Sequence, residues 1–224
     1  MVEKRIVLVD DHPISRGGVK ALISAEPDLN VCGEAGSTRE ALAILDSSEP
    51  DLVIIDISLP DRSGLELIKD LHFTNPNLLM LALSMHDENV YAQRVLQAGG
   101  KGYLMKDNDA GNIIRAIRTV LNGRIFLSDA MSSRLLELLA PKDHQVTLSP
   151  LEKLSDRECE VFQLIGNGRK QAEIAKQLGI SLRTVDAHRN AIRTKLKLPG
   201  NHEVTLYAVK WAQTQSAQPY EKPL

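Results

Sequence analysis

Asp10, Asp11 and Asp56, together with Ser84 and Lys106, are the residue types that handle phosphoryl groups. Carboxylates gathered at one point repel each other, and a hard divalent cation relieves the repulsion. Magnesium, held by a few carboxylates plus phosphate oxygens and water, suits such a set best. Beside that ion Asp56 can attack a phosphoryl group and become an acyl phosphate. The metal and the Lys106 ammonium would then stabilise charge on the equatorial oxygens of an in-line transition state. Singly these residues carry little: an acid at a strand end is most often a helix cap or a solvated loop residue, a serine a turn residue, a lysine a surface charge. Their weight depends on whether the elements around them deliver all of them to one place.

Those elements alternate. Apolar runs at 5–9, 31–35, 52–55, 78–83 and 102–105 read as strands, with helical patterns near 13–25, 37–47, 64–73, 87–98 and 109–122 between them. Ser37 and Glu40 read as a capping box at the start of the second helix. Five strands alternating with five helices predict an α/β fold, a doubly wound parallel sheet covered on both faces. Ligands of such sheets bind beyond the carboxyl ends of the strands. The first strand ends in Asp10-Asp11, the third in Asp56 and the fourth in Ser84, and the fifth runs into Lys106. Four strands therefore send three carboxylates, a hydroxyl and an ammonium to one edge.

The chain has 224 residues and a net charge of −2, with 25% charged and 43% hydrophobic residues, the make-up of a globular protein of one or two domains. No stretch approaches the roughly 20 apolar residues that span a bilayer, and the N-terminal apolar run ends in two acids rather than a cleavage site; a cytoplasmic protein with no membrane partner is expected. Cys32 and Cys159 fit two small thiols rather than a disulfide or metal knuckle. The charge is uneven: residues 1–123 hold 12 Lys/Arg and 18 Asp/Glu, a net of −6, whereas 154–212 hold 10 and 6, a net of +4. An acidic part joined to a basic one predicts two domains with different partners, the basic one a candidate for nucleic acid.

The boundaries follow from the pattern: a first domain over 1–123, a helix (129–139) and a proline-bounded linker (141–150) within 124–150, a small all-α domain over 151–214, and a frayed tail at 215–224. In the all-α part Ser155 and Glu158 form a capping box, a second helix covers 172–178 and stops at Gly179, and Ser181 caps a third over 182–197. Two short helices joined by a glycine-containing turn match the helix-turn-helix plan. The third helix buries Val185, Ile192 and Leu196. Its other residues include Arg183, Thr184, Asp186, Ala187, Arg189, Asn190, Arg193 and Lys197, with five basic residues against one acid in 181–197. Such a balance suits a phosphate backbone. Asn190, near the middle, has the groups to pair with adenine, Ala187 to touch a thymine methyl and Asp186 to accept from a cytosine amine, while Arg193 and Lys197 lie toward the edges, where phosphate is nearer.

Both parts resemble known domains. The pair Asp10-Asp11, the run from Asp56 through Pro60 to Gly64 (D-x3-P-x3-G), Ser84, and the Gly-Tyr-Leu-Met-Lys stretch ending at Lys106 resemble the flavodoxin-like receiver domain of two-component response regulators over about residues 3–122. Residues 154–196, with Leu154-Ser155, Arg157-Glu158, Glu173-Ile174-Ala175, Thr184-Val185, His188 and Lys195-Leu196, resemble the LuxR-type helix-turn-helix of the NarL/FixJ subfamily. The resemblance implies that Asp56 is phosphorylated by a sensor histidine kinase. It implies that Asp11, Asp56 and the Ser58 carbonyl ligate magnesium, with Asp10 directly or through water, that Ser84 and Lys106 meet the phosphoryl group, and that Tyr103 turns inward as Ser84 moves. It implies that kinase choice lies near Ile14, Gly17 and Gly18. Phosphorylation would free the last helix, near 202–213, for homodimer contact through His202, Val204, Leu206 and Val209, and the dimer would read paired DNA half-sites. Asp186 departs from relatives with a DNA-facing lysine there; base selection, a cap and an internal ion pair are its open roles. His188 is expected to pack or to touch phosphate.

Two rivals fit less well. Aspartyl phosphatases want Asp-x-Asp after the first strand, and no G-x-G-x-x-G or Walker loop suggests a nucleotide enzyme. The expected chemistry is confined to the chain's own phosphorylation and dephosphorylation. A regulator that works without phosphorylation would lack one of the acids or the lysine, and all are present.

Overall fold

A computed structural model describes residues 3–139 and 150–216. The chain forms two compact units, divided between Val146 and Thr147. The linker expected over 141–150 and the tail from 217 onward fall almost wholly outside the described residues.

The first unit is a five-stranded parallel sheet in the order β2-β1-β3-β4-β5: β1 Lys4–Val9, β2 Leu29–Ala35, β3 Leu52–Ile55, β4 Leu79–Ser84 and β5 Gly102–Met105. Helices α1 Pro13–Ser24, α2 Thr38–Leu45, α3 Gly64–Thr74, α4 Glu88–Gln97 and α5 Ala110–Leu121 connect the strands. The strands are apolar throughout because both faces are covered. Ile6, Val7, Leu52, Val53, Ile55 and Met80 are completely buried, each worth about 1.5–3 kcal/mol of transfer free energy. Strand order reverses between β1 and β3, the place where doubly wound sheets open a binding crevice at their carboxyl ends.

Local chemistry sets the helix starts. Ser37 Oγ accepts the Glu40 amide as expected, but the Glu40 carboxylate bonds the Gly36 amide, one residue before the cap, so the box is shifted rather than reciprocal. The Asp61 carboxylate supplements that end by accepting the amides of Thr38 and Arg39 at 2.9 and 3.0 Å. Gly64 is required by close approach: a Cβ there would lie 1.9 Å from the Asp56 carbonyl oxygen.

The stretch after Gly123 is more than a connector. Phe126 is bonded to the free edge of β5, its N–H donating to the Lys101 carbonyl and its carbonyl accepting the Tyr103 N–H, both at 3.0 Å, and it joins the main core. Helix α6, Asp129–Leu139, follows, tied to α4 through Arg134 Nη1 to Asn89 Oδ1 at 2.9 Å.

The second unit holds a 3-10 turn, Pro150–Lys153, then α7 Asp156–Gly166, α8 Gln171–Gln177, α9 Leu182–Lys195 and α10 Asn201–Ser216. Ser155 and Glu158 make the expected capping box, and Phe162, Val161, Ile174, Val185, Ile192, Val204 and Ala208 form the core. Three expectations change here. The third helix stops at Lys195, not 197: Lys197 takes φ 55°, and its N–H and that of Leu198 return to the carbonyls of Thr194 and Arg193. This is the six-to-one closure that ends helices, usually with glycine at the left-handed position, and Pro199 follows it. Leu196, at that cap, is half-buried rather than core. The last helix runs beyond the expected 202–213, to Ser216.

Candidate functional site

The carboxyl edge of the sheet gathers the predicted residues. Asp10 follows β1, Asp56 follows β3, Ser84 closes β4 and Lys106 follows β5. Lys106 Nζ donates to Asp10 Oδ2 and to Asp56 Oδ2, each at 2.7 Å. All three side chains are under 10% exposed. Asp10 also accepts from the His12 amide at 2.9 Å and the Ser15 hydroxyl at 2.7 Å. Burial pushes the Asp10 carboxyl up, but Lys106, the His12 amide and Ser15 outweigh it and hold the group below its usual range. Lys106 stays charged on the same logic: burial works against the ammonium, and Asp56 and Asp10 override it.

Asp11 is the exception in this cluster. Its Oδ1 is shielded from solvent and makes no hydrogen bond, although His12 Nδ1 lies 2.6 Å away. That is an ion-pair distance without hydrogen-bond alignment. Burial raises the Asp11 pKa, His12 offsets part of the rise, and the charges of Asp56 and Asp10 add to it. Ligand atoms of Asp10, Asp11, His12 and Asp56 lie within 4.8 Å of one another. An unsatisfied carboxylate oxygen among other carboxylates is a donor set that a hard cation would complete.

The remaining predicted residues of this edge are close by. The Ser58 amide donates to Asp56 Oδ1 at 3.2 Å. Ser84 and Tyr103 are completely buried, so Tyr103 stands inward and is not the half-buried edge residue its strand position would suggest. Burial pushes its phenol well above the usual value, and the protonated hydroxyl donates to the His86 carbonyl at 2.7 Å. Sequence reasoning missed His86, Ser15 and Arg16. His86 Nε2 lies 2.6 Å from Ser58 Oγ, and burial lowers the ring's pKa; Arg16 bonds the Asp10 carbonyl. His86 stands two residues after Ser84, as Ser58 does after Asp56, and that shared offset at two strand ends was the available signal. Ile14, expected near the kinase-choosing surface, is 92% exposed.

In the second unit, Arg183, Asp186, Ala187, Asn190 and Lys197 are exposed, Thr184 and Arg193 half-buried. They do not form one set. The Thr184 hydroxyl lies 2.7 Å from Ser181 Oγ at the helix cap. Arg189 turns toward α10, donating to the Asn201 carbonyl and Thr205 Oγ1 at 3.2 Å each, so its charge is partly spent on packing. Asp186 is exposed and has neither a cap bond nor an ion pair among the described residues. His188 is half-buried, its pKa lowered by burial and by Arg157, with Glu158 acting in the opposite direction; it packs. On α10, Val204 is fully buried and unavailable for a partner, whereas His202 and Leu206 are exposed and Val209 half-buried. Among the described residues no helix is long and apolar enough to cross a membrane.

Comparison with known proteins agrees with this arrangement. Residues 6–118 match the family described as response regulator receiver domain, and 152–208 match bacterial regulatory proteins of the luxR family. The chain is 31% identical to the transcriptional regulatory protein DegU of Brevibacillus brevis, over 92% of this chain and 93% of that protein. It is 30% identical to the response regulator UvrY of Escherichia coli K12, over 95% and 99%. Among solved structures, RcsB of Salmonella enterica serovar Typhimurium, bound to promoter rprA with the phosphomimetic BeF3−, is similar at 25% identity and a TM-score of 0.67, over 92% of this chain and 98% of that one. With a five-stranded parallel receiver fold followed by a helical DNA-binding module of the LuxR type, the chain belongs to the NarL/FixJ-type response regulators of two-component systems.

Proposed function

We propose that Asp56 accepts a phosphoryl group from a partner sensor histidine kinase, and that this event controls how the α9 face engages DNA. The observation that carries the reading is the pair of hydrogen bonds that Lys106 donates to Asp10 and Asp56, beside an Asp11 oxygen that accepts no hydrogen bond. It is a buried set of acids with one cation and room in its chemistry for a second. Asp11, Asp56 and the Ser58 carbonyl would hold magnesium, with Asp10 directly or through water. When bound, the ion would neutralise the acids and stabilise phosphoryl oxygens. A carboxylate oxygen of Asp56 forms the new bond to phosphorus as the bond to the kinase histidine breaks, and the histidine leaves. Lys106 pairs with the phosphoryl oxygens, and the Ser84 hydroxyl donates to them. Tyr103, expected to turn inward as Ser84 moves, already stands inward against the loop after β4, its hydroxyl on the His86 carbonyl. The catalysis ends there: the chain acts on its own phosphoryl group and on no other substrate.

On the output side, Arg183 and Lys197 are suited to phosphates and Asn190 to a base edge. Leu206 of α10, 56% exposed, is suited to contact between two copies, which would set the spacing of paired half-sites. That RcsB is solved on promoter DNA with a phosphomimetic supports the same order of events here. A chromosomal partner implies a cytoplasmic protein.

The test is incubation with acetyl phosphate and magnesium. Wild type gains the mass of one phosphoryl group and Asp56→Asn gains none. Equal labelling of the variant would move the acceptor elsewhere and end this reading.

A further inference from the structure

Two residues of the α9 face are of no use to a phosphate. Leu182, the first residue of the helix, is 53% exposed. Asp186, one turn on, is exposed and has no ion pair among the described residues. Positions four apart lie above one another on a helix. Leu182, Asp186 and Asn190 therefore form one row, beside Arg183 and Ala187 and clear of the buried Val185 and Ile192. The first turn is fastened: the Gln171 amide donates to the Leu182 carbonyl at 3.1 Å, and Ser181 Oγ accepts the Thr184 N–H at 3.0 Å. The cations open to a duplex are fewer than the sequence suggests. Lys195 Nζ donates to Glu158 Oε2 at 2.7 Å, and Arg189 faces α10. Arg183, Arg193 and Lys197 remain, and Asp186 offsets one of those charges. An exposed leucine alone is ordinary, but here it shares its row with an acid that weakens attraction to every phosphate backbone. Both residues lie at the end of a recognition helix that meets base edges. On a generic duplex the pair costs affinity, and only particular bases offset that cost.

We propose that Leu182 and Asp186 determine specificity by exclusion: they accept half-sites with a thymine and a nearby cytosine and weaken binding to all others. The proposal rests on α9 being the DNA-reading face. Four helical residues rise about 6 Å against about 3.4 Å per base pair, so the two bases lie about two steps apart. Guanine and thymine present acceptors in the major groove, and these repel the Asp186 carboxylate. Adenine and cytosine each present an amine. The adenine amine lies between two acceptors, its own ring nitrogen and the thymine oxygen. The cytosine amine has an acceptor on one side only, so the carboxylate takes cytosine. Leu182, which has no polar group, packs on the thymine methyl.

The test uses the full chain, with and without prior acetyl phosphate and magnesium. Its probes are duplexes that the wild-type chain enriches from a random pool, and the unselected pool itself. Asp186→Ala binds the unselected pool about fivefold more tightly, because a like charge has left the interface. At the cytosine position wild type loses about tenfold on other base pairs, and Asp186→Ala no more than about twofold. Asp186→Asn, whose amide pairs with adenine, moves the preference from cytosine to adenine, an exchange that a merely structural role would not produce. Uracil in place of the thymine removes only a methyl group; it costs wild type about fourfold and Leu182→Ala nothing. Both side chains are exposed, so the variants keep the wild-type fold. An enriched site without thymine and cytosine at this spacing overturns the proposal. So does Asp186→Ala that binds the unselected pool no more tightly or keeps the wild-type base preference, or equal loss on uracil in wild type and Leu182→Ala. All of these leave α9 standing as the DNA face. A wild-type chain that enriches no duplex in either state removes that reading and the exclusion with it.

Discussion

At the carboxyl edge of the sheet, Lys106 and its two aspartate partners are each under 10% exposed and bonded to one another. On α9 and just past its end, Arg183, Asp186, Asn190 and Lys197 face solvent. Both regions concentrate charge, and they do so for partners of different size. A small, highly charged group needs a pocket whose charges are already positioned, because reorganising them during reaction would cost what the pocket is meant to supply. A duplex is larger than the whole unit and brings its own counterions, so its site can stay open and hydrated until the two surfaces meet. The same charge is therefore structural in one place and optional in the other, and this contrast can be broken experimentally.

The largest difference is expected from deleting a cation in each region. Lys106→Met strips two buried acids of their partner and should cost about 3 kcal/mol, read by urea unfolding of the full chain, with Asp10→Asn on top returning part of the loss. Arg183→Ala should change stability by no more than about 0.5 kcal/mol. Similar costs at the two positions would erase the distinction.

Next in size is the response of the open face to its ligand. Asn190→Ala should lose roughly 1–3 kcal/mol on a cognate site and little on random duplex. Arg193→Ala should weaken both alike and lower the salt slope by about one unit. Salt titrations on both duplexes measure this; equal losses for Asn190→Ala on the two would mean that the middle of α9 does not read bases.

Smaller, and opposite in sign, is the effect of removing an acid from the pocket. The folded pKa of Asp11 is raised, so its ionisation works against the fold: stability is full below the ordinary carboxyl value of 3.8 and declines as pH rises through the folded pKa. Asp10 is lowered and runs the other way, adding stability above that value and losing it in acid. Asp11→Asn should therefore raise the metal-free melting temperature at neutral pH by about 2 °C. The gain should fade below pH 3.8, and magnesium affinity should fall more than in Ser84→Ala. Calorimetry across pH decides it; a destabilised variant at neutral pH would contradict the repulsion assigned to Asp11.

The smallest effect sharpens the second region alone. Lys197 is the one non-glycine with positive φ among the described residues. Lys197→Gly should stabilise the unit by no more than about 1 kcal/mol by removing left-handed strain, while lowering the salt slope for DNA. A stabilised variant with unchanged DNA binding would take Lys197 out of the phosphate contacts.

The alternation of apolar runs, the acids and lysine placed at strand ends, and the capping box at Ser155 and Glu158 were readable from the sequence because each depends on periodicity or on a hydrogen bond within a few residues. They give the fold class, the acidic edge and the helix-turn-helix. What depends on distant neighbours was not readable. Phe126 joins the sheet only because β5 offers a free edge. Arg189 turns inward only because α10 presents a carbonyl and a hydroxyl, and Val204 is core rather than surface only because α10 packs on α7. His86 belongs to the pocket because Tyr91 stacks on its ring. Local pattern can say that a side chain is polar and at a strand end, whereas the partner it finds there is decided by packing across the chain, where a single contact outweighs local preference.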